Sequence, residues 1–297
     1  MKSIFSGVAV ALVTPFIGDK VDFQSMGKLI ENCMRVGVNN FVLLATTGEG
    51  VGVDESERKQ LISFCKKQIG TLGKLIVGTG NNNFEVCKQN TIQAKELGAD
   101  GALIVTPYYN KTSQSGIVEY YKTLSKIGLP IIAYNVPSRT GLNIELETIE
   151  ELVEGEYIAG IKESTFDIKR IIKIHQICKN RIGVYSGEDS LNYVFYCHGG
   201  DGAISVCANV APKINQDVFL FCRRGDFQQA LQKQNELSTL NDLLFCDVNP
   251  VPVKFFLEKI KLIRDGRVRL PLISLSNENK IKIEKFIKKS IKNGIFS

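Results

Sequence analysis

Short runs of β-branched and apolar residues recur along this chain roughly every 25 to 30 residues, each followed by an amphipathic stretch, which is the spacing of consecutive strand–helix units. Eight can be counted: "GVAVALVTPF", "NNFVLLATT", "KLIVGTG", "GALIVTP", "LPIIAYNVP", "IAGIKES", "RIGVYSG" and "GAISVCAN". None alternates strictly between apolar and polar residues. Strands that are apolar on both faces belong in a parallel sheet covered by helices. The segments between them carry helix punctuation. "DESERKQLISFCKKQIG" opens acidic and closes on lysines before Gly70, an order that suits the helix dipole, while "NFEVCKQNTIQAKELG" and "QSGIVEYYKTLSKIG" stop at Gly98 and Gly128.

Eight such units predict an α/β fold of the (β/α)8 TIM barrel type over residues 1–224. An open doubly wound sheet is the competing architecture. It would usually place a glycine-rich dinucleotide loop after the first strand, and "VTPFIGDK" is no such loop. Residues 225–297 read as a C-terminal three-helix appendage, with helices at roughly Phe227 to Phe245, Val251 to Ile263 and Glu278 to Lys292.

With 297 residues, 44% apolar and 23% charged, the chain buries a large core and is not disordered. Its net charge of +6 is gathered in "KIKIEKFIKKSIKNG". That stripe reads as the solvated face of a terminal helix whose apolar face is Ile281, Ile283, Phe286, Ile287 and Ile291. It lacks the aromatic interleaving of a nucleic-acid surface, so no nucleic-acid partner is expected. The eight cysteines form no C-x-x-C pair and do not cluster with His175 or His198, which argues against a zinc site. "MKSIFSGVAVALVTPF" meets its Thr-Pro too early for a signal peptide, and no segment is long enough for a membrane span. A reduced, cytoplasmic protein with no membrane partner is the expectation.

In a closed parallel barrel the loops after the strands converge on one mouth, and the unusual polar residues of this chain fall there: "ATTGEG", "GTGNNN", "TPYYNK", "YNVPSRTG", "KES", "SGED" and "SVCAN". Lys162 ends an apolar run, where an ammonium is costly unless it is paired or sheds its proton. Glu163, its neighbour, faces the other way along a strand and reads as a structural hydrogen-bonding group. The Thr46–Thr47 pair followed by Gly48 leaves backbone N–H groups free for a carboxylate. Arg139, in a loop stiffened by Pro137 and Gly141, suits a second carboxylate. An amine, a phenol at Tyr134 and an anion-binding turn make a kit for Schiff-base chemistry, in which the phenol shuttles protons. Each residue also has a plain structural reading: "TTGEG" as a capped turn, Tyr108 and Tyr109 as packing aromatics, Cys207 as a small core residue and His175 as a helix residue.

The ordered series "TTGEG", "TPYYNK", "YNVPSRTG", "GIKES", "SGED", "GAISVCANVAP" and "NPVPVK" resembles the pyruvate-dependent class I aldolases, in particular the dihydrodipicolinate synthase branch of the family, over essentially the whole chain. The resemblance implies condensation of pyruvate with L-aspartate 4-semialdehyde, the committed step of lysine and diaminopimelate biosynthesis, in a homotetramer built from tight dimers and without a cofactor or metal. Lys162 matches the Schiff-base lysine, Tyr134 the acid–base phenol, Thr47 the hydroxyl linking it to a second tyrosine, and Tyr109 that tyrosine, donated across the dimer interface. Thr46 and Thr47 match the residues that bind the pyruvate carboxylate, Arg139 the guanidinium holding the semialdehyde carboxylate, and Gly187 and Ile204 backbone positions lining the pocket. N-acetylneuraminate lyase, a sibling with the same lysine and tyrosine, lacks the arginine of "PSRTG". A catalytically silent barrel would lack part of the ring, which is complete here. The chain departs from lysine-inhibited members at Gly50, Val51, Glu55, Arg58 and Val86, although Asn82 and Tyr108 match. Weak or absent inhibition by lysine is expected.

Overall fold

A computed structural model describes residues 3–292 of the chain, and the side chains of residues 3–290. Eight strands form the barrel: β1 (Gly7–Ala11), β2 (Asn40–Leu43), β3 (Lys74–Gly78), β4 (Gly101–Val105), β5 (Ile131–Asn135), β6 (Gly160–Glu163), β7 (Gly183–Ser186) and β8 (Gly202–Ser205). Each pairs in parallel with its neighbours in sequence, and β1 also pairs with β8, so the sheet closes on itself. The helices that follow the strands are α1 (Phe23–Arg35), α2 (Glu55–Ile69), α3 (Phe84–Glu96), α4 (Gln114–Ser125), α5 (Leu146–Glu154), α6 (Ile168–Cys178), α7 (Asn192–Cys197) and α8 (Pro212–Arg224). The architecture is the (β/α)8 TIM barrel expected from the repeat. Among the described residues, no helix is long and apolar enough to cross a membrane.

The double apolar character of the strands divides into two cores. Outward residues such as Val8, Phe41, Leu75 and Ile161 join the helices in one continuous cluster. Inward residues, among them Ala9, Val42, Ile76, Leu103, Ile132 and Ile204, fill the lumen. At the floor of the barrel Phe5 and Tyr185 stack with ring centroids 4.2 Å apart, and the Tyr185 hydroxyl donates to Phe5 O at 3.1 Å. Gly160 makes room for this plug, since a Cβ there would lie 2.9 Å from Tyr185 Cε2.

Three more helices follow: α9 (Phe227–Leu244), α10 (Val251–Lys259) and α11 (Asn277–Lys292). Leu237, Leu240, Leu244, Phe256, Ile283 and Ile287 bring them into the outer core. α10 stops short of the expected Ile263 because the chain turns at Lys261, whose φ of 62° is left-handed. Ile281 also departs from expectation, being 52% exposed. It lies two residues from the buried Ile283, about 200° around a helix, and so falls on the other side. The side chain of Ile291 lies outside those described.

An ion pair between buried Asp22 and half-exposed Arg264 fastens the first helix to the segment after α10. Asp22 caps α1 by accepting from Ser25 N, and it receives Arg264 Nε at 2.7 Å. Arg264, followed by the Ser25 hydrogen bonds, holds the Asp22 carboxyl well below the usual carboxylate range. Because the folded value is depressed, its contribution is full above the unfolded value of about 4 and is lost as pH falls below it. Asp22→Asn should therefore flatten the acid decline in unfolding free energy below pH 4 by one proton's worth, about 1.4 kcal/mol per pH unit, measured by denaturant titration at several pH values.

Candidate active site

The register of two adjacent strands places the central pair. Tyr134 on β5 is the partner of Lys162 on β6, so both side chains leave the sheet on the lumen face. Lys162 is 6% exposed, and its Nζ lies 4.2 Å from the centroid of the Tyr134 ring. Among the described residues no carboxylate pairs with this amine. Gly187, after β7, is the close neighbour that lets the lysine lie there. A Cβ at residue 187 would sit 2.8 Å from Lys162 Cε and would overlap Ser164 Oγ. Ser164 Oγ is itself buried without a partner.

The next residues along the same strands, Asn135 and Glu163, are also register partners and face outward. Asn135 Nδ2 donates to both Glu163 carboxylate oxygens at 3.0 Å, and Arg170 Nε donates to Oε2 at 3.1 Å. This buried network ties the ends of β5 and β6 together directly behind Tyr134 and Lys162. Glu163 therefore has the structural role its alternation predicts. Asn135 Oδ1 also accepts from Ile144 N, which fixes the far end of the loop that carries Arg139.

The "TTGEG" turn is built on strained backbone. Leu44 and Glu49 hold left-handed φ values of 59° and 51°, each at a cost of about 1–3 kcal/mol that neighbouring contacts must offset. Thr14 Oγ1 donates to Gly48 O at 2.6 Å, and Glu49 is gripped from the appendage. Lys254 Nζ on α10 donates to Glu49 Oε1 at 2.6 Å, and Arg269 N donates to Oε2 at 2.9 Å. Lys254 is fully buried, with its Nζ 4.2 Å from the Phe16 ring centroid. Burial pushes the ammonium down to about 8 against the pull of Glu49. Among the described residues the backbone N–H groups of Thr46, Thr47 and Gly48 have no protein acceptor, which leaves the turn free to bind an anion.

A cavity of about 360 Å³ opens above this floor, bordered by Thr46, Tyr134, Arg139, Tyr108, Asn249 and Leu270 among others. Arg139 rides on a one-turn helix, Pro137–Thr140, which ends at Gly141. Thr47 lies beneath the wall, between Thr46 and Asn249, and its Oγ1 accepts from Asn249 Nδ2 at 3.0 Å. Ile204 is buried in the lumen core. Tyr109 stands apart: it is 92% exposed, on a left-handed residue with φ 69°. Lys162, Tyr134 and Gly187 are thus together, Thr46 and Arg139 share the cavity wall, and Tyr109 does not reach the others within this chain. Asn249, Lys254 and Asn135 were missed by the sequence reading as site residues. The available signal for Lys254 was its place among the apolar residues of "VPVKFFLEK". Among the described residues no three His, Cys, Asp or Glu side chains are grouped to hold a metal ion.

Fold and site together define a (β/α)8 barrel that gathers an amine and a phenol at the C-terminal ends of adjacent strands. Residues 4–290 match the family described as the dihydrodipicolinate synthetase family, and the chain belongs to it. It is 39% identical to 4-hydroxy-tetrahydrodipicolinate synthase of Thermodesulfovibrio yellowstonii, covering 96% of this chain and 98% of that one. The counterpart numbered 1 in Clostridium acetobutylicum is 38% identical over 93% and 94% of the two chains. Among solved structures, dihydrodipicolinate synthase of Thermotoga maritima superposes with a TM-score of 0.94 at 36% identity, covering 98% of this chain and 99% of that one.

The grip on Glu49 is testable by itself. Lys254→Met should leave that carboxylate buried without its cation and destabilise the chain by about 3–5 kcal/mol, whereas the Lys254→Met/Glu49→Gln pair should recover most of the loss in denaturant unfolding.

Proposed function

We propose that this chain is a 4-hydroxy-tetrahydrodipicolinate synthase, condensing pyruvate with L-aspartate 4-semialdehyde in lysine and diaminopimelate biosynthesis. The observation that carries the reading is the buried, unpaired amine of Lys162 held against the Tyr134 ring by strand register. The neutral form of that amine is the nucleophile. It attacks the ketone carbon of pyruvate, and the carbinolamine loses water as Tyr134 passes protons to and from the departing oxygen. Loss of a methyl proton from the resulting imine gives an enamine, whose carbon attacks the aldehyde and forms the new C–C bond. The aldehyde's own amino group then displaces Lys162 at the imine carbon, closing the ring and freeing the lysine. The chemistry rests on the covalent imine, with no cofactor and no metal.

The turn at Thr46 and Thr47 takes the pyruvate carboxylate, Arg139 takes that of the semialdehyde, and the backbone of Gly187, against Lys162, and of Ile204, in the lumen below the cavity, bounds the pyruvate end. Thr46 borders the cavity with Tyr134, while Thr47 is turned to Asn249. On that ground the linking hydroxyl expected at Thr47 is assigned to Thr46, and Thr47 keeps the carboxylate. Tyr109, exposed and left-handed, is free to enter the site of a second copy, which supports an assembly of tight dimers within a homotetramer; the cytoplasm is the compartment proposed for it. Residues 1–224 supply the catalytic barrel and 225–297 the helical domain that braces it.

Borohydride added with pyruvate should leave a stable adduct on the peptide containing Lys162, found by mass spectrometry and absent from Lys162→Ala. No adduct on the unsubstituted chain sinks the reading. Condensation should proceed with aspartate semialdehyde and not with N-acetylmannosamine. Val86 offers no carboxylate to an effector's ammonium, and the Arg58 guanidinium is already committed to Gly78 O and Gly50 O at 3.1 Å. Millimolar lysine should therefore leave the condensation rate nearly unchanged in a steady-state assay.

A further inference from the structure

Asn249 belongs to none of the barrel loops. It lies between α9 and α10, 202 residues from Thr47, yet its Nδ2 donates to Thr47 Oγ1 across a buried 3.0 Å contact. Asn249 is 7% exposed and borders the cavity, while its Oδ1 is buried with no partner. The side chain is thereby tied to Thr47 at the edge of the cavity, with its Oδ1 left over.

What the contact does to Thr47 is directional. A hydroxyl carries one proton and two lone pairs. With a lone pair taken by Asn249, the proton is free to point elsewhere, and the N–H groups of Thr46, Thr47 and Gly48 in the same turn are unpartnered. An anion seated on those N–H groups then receives a fourth donor. We propose that Asn249 is a positioning residue that orients the Thr47 hydroxyl onto the carboxylate of pyruvate, and so sets the affinity for the keto acid rather than the rate of the chemistry. This rests on the pyruvate reading above. The same segment that carries Asn249 also carries Lys254, whose ion pair with Glu49 holds the other end of the turn. The helical appendage thereby takes part in substrate binding although it supplies no group that reacts.

The test compares Asn249→Ala, Asn249→Asp, Thr47→Val and the Thr47→Val/Asn249→Ala pair with the unsubstituted chain. Initial rates are measured with each substrate varied in turn, and borohydride trapping at Lys162 is followed against pyruvate concentration. Asn249→Ala should raise the pyruvate KM, and the pyruvate needed for half-maximal trapping, about tenfold, with kcat and the semialdehyde KM within about twofold. Asn249→Asp, whose carboxylate both captures the Thr47 proton and repels the keto acid, should raise the pyruvate KM further. In the Thr47→Val background the Asn249→Ala change should add nothing. Additive effects, an equal rise in both KM values, or a fall in kcat alone overturns the proposal. If Asn249→Ala does not fold, the nearly isosteric Asn249→Asp decides, and an unchanged pyruvate KM there overturns it. Failure of the unsubstituted chain to trap pyruvate overturns the parent reading and this one together, whereas normal trapping with unshifted variants overturns this one alone.

Discussion

Closure of the parallel sheet is the constraint on which the rest depends. Once β1 pairs with β8, alternate residues of every strand must face a lumen wide enough only for side chains. A charged group on an inward position has no solvent to return to except at the mouth. Among the described residues two lysines are almost fully buried, Lys162 in the lumen and Lys254 on α10 outside it, and they show two ways of keeping an ammonium from solvent. Lys254 is neutralised in place by Glu49 and sits against Phe16, an arrangement that holds structure together. Lys162 has no carboxylate in ion-pair contact, only a phenol face beside it and Glu188 at longer range. The difference between a structural and a chemical lysine is therefore the carboxylate beside it, not the degree of burial.

The anion-binding turn is held less by its own sequence than by a segment from the other end of the chain. Left-handed conformations at Leu44 and Glu49 are not self-supporting for side-chain-bearing residues, and they persist because Thr14, Lys254 and Arg269 fix the loop from several sides. Arg269 also donates to Glu57 at 2.6 Å through both terminal nitrogens and lies over Phe16, so the N-terminus of α2 is drawn into the same assembly. Strain at the site is thus balanced by charge pairs in the appendage, which makes that appendage part of the site's rigidity.

The barrel was legible because its signal is repetitive: eight apolar runs, each followed by a helical stretch, overdetermine one topology. Lys162 was legible for a local reason, a lysine closing an apolar strand. Lys254 was not, although it stands in an apolar run, because the carboxylate that lets it be buried, Glu49, lies 205 residues earlier. Asn249 escaped for the same reason, since nothing near it in sequence announces Thr47. The exposure of Ile281 was missed because a run of isoleucines two and four residues apart fits a helix face only in part. Pairings of high sequence separation are what the local pattern cannot carry, and in this chain they are concentrated where the appendage meets the barrel.

The two ends of the lumen divide stability from chemistry. At the floor, Phe5 and Tyr185 stack, and Tyr185 and Phe5 exchange hydrogen bonds between phenol and backbone, so the aromatic plug is fully satisfied. At the mouth, by contrast, Ser164, Thr165 and Thr106 each keep a buried hydroxyl without a partner, and the turn keeps free N–H groups. Unsatisfied groups are expensive, and others occur on the outer helices, at Gln93, His175, Tyr196, Asn215 and Asn241. At the mouth, Ser164, which crowds Gly187 together with Lys162, and the open turn leave donors and acceptors for a polar guest. The satisfied floor lets the barrel carry that cost, because Tyr185, the register partner of Lys162 on β7, packs from below against the same stretch of lumen in which the amine must keep its place.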